Sequence, residues 1–202
     1  MGDITKLTLS DAELAFVQET EWILRKQKII NQVSSLLSER IERIKNCVLS
    51  HTKIAYPEIL SSLPKVSKGE NYQSLPYVIL DYPSVFSKKD VFALRTMFWW
   101  GHFFSVTLQI SGLYLDKWGS CLCQNLKHSG SAYFICVNEN AWHHHFEKEN
   151  YRPVSQISEQ DLDIIFNKPF IKIAQKFPLN KWNEMPHLLD EAYLQILKLL
   201  ED

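Results

Sequence analysis

The sequence predicts an α+β fold: an antiparallel sheet of four to five strands packed against helices, preceded by a helical N-terminal region. Three observations carry this reading. Apolar residues recur at three- and four-residue spacing through Ile30, Val33, Leu37, Ile41, Ile44 and Val48, which draws one stripe along a helix. The run FFSVTLQISG alternates strictly, with Phe104, Val106, Leu108 and Ile110 on one side and Phe103, Ser105, Thr107 and Gln109 on the other. Helical patterns fall between some strands and not others, so the regular βαβ alternation of a doubly wound parallel sheet is missing. Composition agrees with a folded chain, since 46% of the 202 residues are hydrophobic and only 6 are glycine. We expect one α+β domain over residues 1–202, with 1–56 as its helical region and 57–202 as its mixed sheet and helix portion.

Taken in order, Ser10 and Glu13 stand at capping-box spacing before an apolar pattern that begins at Leu14 and Val17. No Pro or Gly interrupts residues 3–56. A single helix of about 40 residues would span about 60 Å, so a break near residues 26–32 is expected. The apolar stripe is expected to face the core, with a homodimer through the N-terminal helices as the alternative. Pro57, Pro64, Gly69 and Pro76 punctuate the next stretch, and SKGENYQSLP reads as a loop. Tyr77–Pro83 reads as a strand. Ser87 with Asp90 reads as the cap of a helix running to Trp99 and closed by Gly101. After the alternating strand, Leu113–Leu126 reads as helix, HSGS (128–131) as a turn and Ala132–Val137 as a strand. Residues 141–147 would extend into another. Ser158 and Asp161 cap a short helix to Phe166; FIKIAQKF (170–177) fits strand or helix; Met185–Leu200 closes the chain as an amphipathic helix.

Charge excludes one class of function. There are 22 Lys and Arg against 23 Asp and Glu, with no one-sided segment, so no basic surface is available to grip nucleic acid by counterion release. No run of about 18 apolar residues would span a membrane. The opening MGDITKLTLSDAEL lacks the apolar core of a signal peptide, and Lys6 stands where myristoylation wants Ser or Thr. Cys47, Cys121, Cys123 and Cys136 do not form a disulfide framework. Together these predict a reduced, cytoplasmic protein with neither nucleic-acid nor membrane partners. The dinucleotide, Walker A, HExxH, GxSxG and CxxC patterns are all absent.

Two places remain as candidates for chemistry. The sheet's polar side, rimmed by FWWGHFF, would offer Arg95, Trp100, His102 and Thr107 to an anionic or aromatic ligand through charge, stacking and hydrogen bonds. In WHHHFEKE, an extended backbone would put His143, His145 and Glu147 on one side, a ligand set for a divalent transition metal. Asp81, at a strand end, is a carboxylate without an evident partner. The leading expectation is a non-enzymatic module that binds a small molecule or a protein and needs no cofactor. The alternative is a metal-dependent enzyme built on the histidines.

Overall fold

The computed structural model describes residues 8–51, 53, 54, 56–129 and 132–201. The fold is α+β. Helices α1 (Asp11–Gln18), α2 (Glu21–Ser50) and α3 (Pro57–Leu60) come first. Strands β1 (Lys65–Tyr72), β2 (Leu75–Phe86), β3 (Val91–Trp99) and β4 (Phe103–Ser111) follow as a meander. Then come α4 (Leu113–His128), β5 (Phe134–Cys136), β6 (Tyr151–Pro153), α5 (Glu159–Phe166), β7 (Phe170–Pro178) and α6 (Met185–Lys198). The described strands form one sheet of seven, antiparallel throughout, in the order β1-β2-β3-β4-β7-β5-β6. That exceeds the four to five strands expected. The opening residues 1–7, and Gly130 and Ser131 of the HSGS turn, lie outside the described residues.

The alternation in β4 is realised as read. Phe104, Val106, Leu108 and Ile110 are all buried in the main core beneath the helices. Register carries that pattern across the sheet: Phe98 pairs with Phe104, and Leu94 with Leu108, which in turn pairs with Ile173. The stripe Ile30, Val33, Leu37, Ile44 and Val48 of α2 packs into the same core, so the helical region and the sheet are held together by shared apolar contact.

Three elements differ from expectation. First, α2 runs 30 residues without a break near 26–32, and the chain breaks instead at Glu19–Thr20. Laying the helix along the sheet provides the long apolar contact that sustains it. Second, Val91–Trp99 is a strand and not a helix. The spacing of Ser87 and Asp90 marks a hairpin turn: the Ser87 amide donates to the Asp90 carbonyl at 3.0 Å, and the Asp90 amide donates to Ser87 Oγ at 2.8 Å. Gly101, with φ of 76°, serves the β3–β4 hairpin. Third, most of SKGENYQSLP is not loop, because residues 65–72 form β1. This strand lies at the sheet edge, where Lys65, Lys68 and Glu70 stay exposed and leave no apolar alternation to read.

Residues 141–147, expected to extend into a strand, form none, whereas the expectations for residues 158–178 hold. Ser158 Oγ accepts from the Asp161 amide at 3.1 Å and starts α5, and residues 170–178 resolve as strand β7. Gly112, at φ 55°, precedes α4, and Asp90 Oδ1 accepts from the Leu113 amide beside it at 2.9 Å. Among the described residues, no helix is long and apolar enough to cross a membrane.

Candidate functional site

The sheet face opposite the helices should be wet if nothing covers it. It is covered. Residues 138–150 leave β5 and cross this face as an irregular strap before entering β6. Thr107 is only 7% exposed and Ser105 2%. The strap's anchor is Phe146, which stacks on Tyr151 with centroids 4.5 Å apart and meets Phe103 and Phe134 edge-on.

Beneath the strap, cross-strand register assembles a polar row. Asp81 of β2 pairs with Arg95 of β3, which pairs with Thr107 of β4. The carboxylate that lacked a partner in the sequence holds Arg95 through two bonds, Nε to Oδ1 at 2.6 Å and Nη2 to Oδ2 at 2.8 Å. Both side chains are mostly buried, so the fork geometry compensates for lost hydration. Arg95 Nη1 extends the row to His144 Nε2 at 2.7 Å. A guanidinium only donates, so this ring nitrogen accepts and neutral His144 carries its proton on Nδ1. Burial, with Lys172 and Arg95 nearby, holds the His144 pKa down to about 2.

Lys172 of β7 supports the strap from below. It is 1% exposed, and Nζ donates to the carbonyls of Ala141 and His143 at 2.8 and 2.7 Å. Burial lowers its pKa to about 8, with Arg95 adding to the effect. Tyr72 of β1 supports the other side. Its hydroxyl accepts from the amides of His144 at 2.7 Å and His145 at 3.1 Å, and lies 3.1 Å from His145 Nδ1.

This geometry bears on the proposed metal set. Having accepted two amides, the Tyr72 hydroxyl has its own proton to give to His145 Nδ1, and Gln73 Nε2 approaches the same nitrogen at 3.0 Å. The His145 proton then sits on Nε2, facing Glu147 at 3.8 Å. Coordination through Nε2 would require the opposite tautomer. His143 Nε2 is engaged by the Asn140 amide at 3.2 Å, and its ring centroid is 5.2 Å from that of His145. Among the described residues, no group of three or more His, Cys, Asp or Glu side chains stands ready to hold a metal ion.

The four residues suggested for ligand binding are distributed over three places. Arg95 and Thr107 lie under the strap. His102 is exposed at the hairpin tip and stacks on Trp99 with centroids 3.6 Å apart. Adjacent Trp99 and Trp100 diverge: Trp99 is buried on the strap side, whereas Trp100 is half-buried on the helix side. There it lines an apolar cavity of about 440 Å³ with Ile29, Gln32, Phe98, Gly101, Leu179 and Trp182. Sequence reading missed this cavity because its wall comes from three separated segments. The one available signal was the isolated Trp182 after Pro178.

Cys121 and Cys123, two residues apart on α4, reach different partners. Cys121 approaches the Glu201 carbonyl at 3.0 Å, whereas Cys123 approaches Asp163 at 3.5 Å across a cleft between α4 and α5. Burial raises the Cys123 pKa, as does its contact with Asp163, so the thiol stays protonated. None of the four cysteines is in a disulfide.

A further apolar surface lies at the start of the chain. α1 buries none of its residues, and Leu14, Phe16 and Val17 are exposed, as are Trp22, Ile23 and Leu24 at the start of α2. Phe16 stacks on Trp22 at 4.9 Å. Comparison with family models, with curated proteins and with solved structures finds no match to this chain.

Proposed function

We propose that this chain is a non-enzymatic protein-interaction module of the cytoplasm, binding through the apolar end formed by α1, the start of α2 and the Trp100 cavity. The observation that carries this reading is the exposure of α1 and its junction: Phe16 is 57% exposed, Val17 66% and Leu24 61%, although each sits on a helix. Apolar side chains gathered at one place mark a surface that gains from being covered. The polar row under the strap supports the same reading from the other side, because its donors and acceptors are engaged in holding residues 138–150 down. Thiols left unbridged fit a reducing compartment.

The test is the variant Phe16→Asp with Val17→Asp in the full chain, compared with wild type by binding of an environment-sensitive apolar dye and by thermal unfolding. Wild type should bind the dye and the variant should bind far less, with the unfolding midpoint unchanged because α1 buries nothing. Equal dye binding by the two proteins would refute the reading.

A further inference from the structure

We infer that residues 140–144 cover a binding site for a small carboxylate, built by Arg95, Lys172 and Tyr151 beneath the strap. This goes beyond the interaction-module reading and does not depend on the apolar end. The first support is charge. Arg95 holds the His144 ring and Lys172 the His143 carbonyl, so two cations reach adjacent residues of the strap from below. Asp81 is the one carboxylate bonded to either of them, because Glu139, Glu147 and Glu149 of the strap are all exposed. One buried positive charge is left without a counter-charge, which favours an incoming anion of single charge. The second support is unused donors. Arg95 has five N–H groups and places three on partners, and Lys172 has three and places two. Tyr151 is 2% exposed, and its hydroxyl, near Arg95 and Thr107, makes no hydrogen bond of ordinary geometry. Buried donors are normally satisfied, so a group of them marks a place that an acceptor would occupy.

The way the strap is held shows what the ligand would replace. Among the described residues, the hydrogen bonds that tie 140–144 to the sheet come from Arg95, Lys172 and Tyr72 alone. Phe146, beyond this segment, is anchored separately by its ring contacts. Residues 140–144 can therefore lift without releasing the anchor. On lifting, Arg95 gives up one imidazole nitrogen and Lys172 two carbonyls, all of them neutral acceptors. A carboxylate supplies the same cations with opposite charge as well as lone pairs, and the guanidinium edge that Asp81 leaves free suits its two oxygens. The displaced His144 ring is flat and lies beside the Tyr72 ring, with centroids 5.8 Å apart. Benzoate, a flat ring bearing one carboxylate, is the matching probe.

The full chain is titrated by NMR with benzoate and with benzamide, its neutral counterpart. Benzoate should saturate, and should bind about 10-fold or more tightly than benzamide. At saturation the His144 amide, which Tyr72 holds in the absence of ligand, should exchange its hydrogen faster while β4 amides stay protected. Lys172→Met removes the charge and keeps a buried apolar stem, and should weaken benzoate about 10-fold or more. Tyr151→Phe removes a hydroxyl that bonds nothing under the strap, so it should leave the unfolding midpoint unchanged and weaken benzoate several-fold. Equal binding of benzoate and benzamide, tighter binding of inorganic phosphate, or benzoate binding that both variants leave intact would overturn the site. Failure of benzoate to saturate would overturn it too. None of these outcomes touches the dye test or the apolar end that it probes.

Discussion

Acidification should loosen the strap through one side chain, His144. Its Nε2 accepts from Arg95 Nη1 at 2.7 Å, and an imidazolium has no lone pair there. Folding therefore selects the neutral ring, with a pKa held down to about 2 by burial and by Lys172 and Arg95, against an ordinary value of 6.5. The unfolded chain binds the proton below pH 6.5 and the folded chain does not. Stability is complete above that pH and falls as pH drops through the window between 6.5 and 2. The slope is at most about 1.4 kcal/mol per pH unit, so the loss by pH 5 is of order 2 kcal/mol. Urea unfolding of wild type and His144→Gln should be followed from pH 7 to pH 5. The glutamine keeps an acceptor for Arg95 and does not titrate, so the two curves should converge or cross as pH falls. Parallel curves would refute the assignment of a neutral, Arg95-bound His144.

Three further outcomes follow from named contacts. Asp81→Asn weakens the two-bond clasp on a mostly buried guanidinium, and should cost about 3 kcal/mol in urea unfolding; Arg95→Met in the same chain should recover part of that loss. Tyr72→Phe removes the acceptor of the His144 and His145 amides, and their hydrogen exchange should quicken about 10-fold or more while amides of β4 stay protected. Gly112→Ala places a Cβ 2.1 Å from Asp90 Oδ1 at φ 55°, so it should lower the unfolding midpoint by more than Gly101→Ala, whose Cβ would meet nothing within 4 Å; the conformational part alone is about 1–2 kcal/mol.

Legibility in the sequence followed the side-chain types on the two faces of each element. β4 keeps a clean alternation because Ser105, Thr107 and Gln109 occupy its second face. β3 hides its period because Ala93, Met97 and Trp99 are buried on the strap side while Phe92, Leu94 and Phe98 are buried on the helix side. A strand with apolar side chains on both faces reads as a continuous apolar run, and the turn before it mimics a helix cap. β1 was hidden for the opposite reason, being polar on the edge.

The candidate site was legible in its members and not in its grouping. Arg95, Asp81 and the triple histidine all stand out in the sequence. His144, the member turned away from the expected metal face, is the one that Arg95 holds, because residues 138–150 are irregular and not extended. Lys172 gave no signal, since a lysine inside FIKIAQKF is expected at a surface. Only the strap crossing above it explains its burial.

The sheet's outer strands set a condition on how this molecule can assemble. One border, β1, carries Lys65, Lys68 and Glu70, and the other, β6, is three residues long. A strand from another chain would meet charge along the first and little backbone to pair with along the second. Growth by adding strands is closed in both directions. Association is thereby left to side-chain surfaces, which recognise shape and charge and can release their partner without unzipping the sheet.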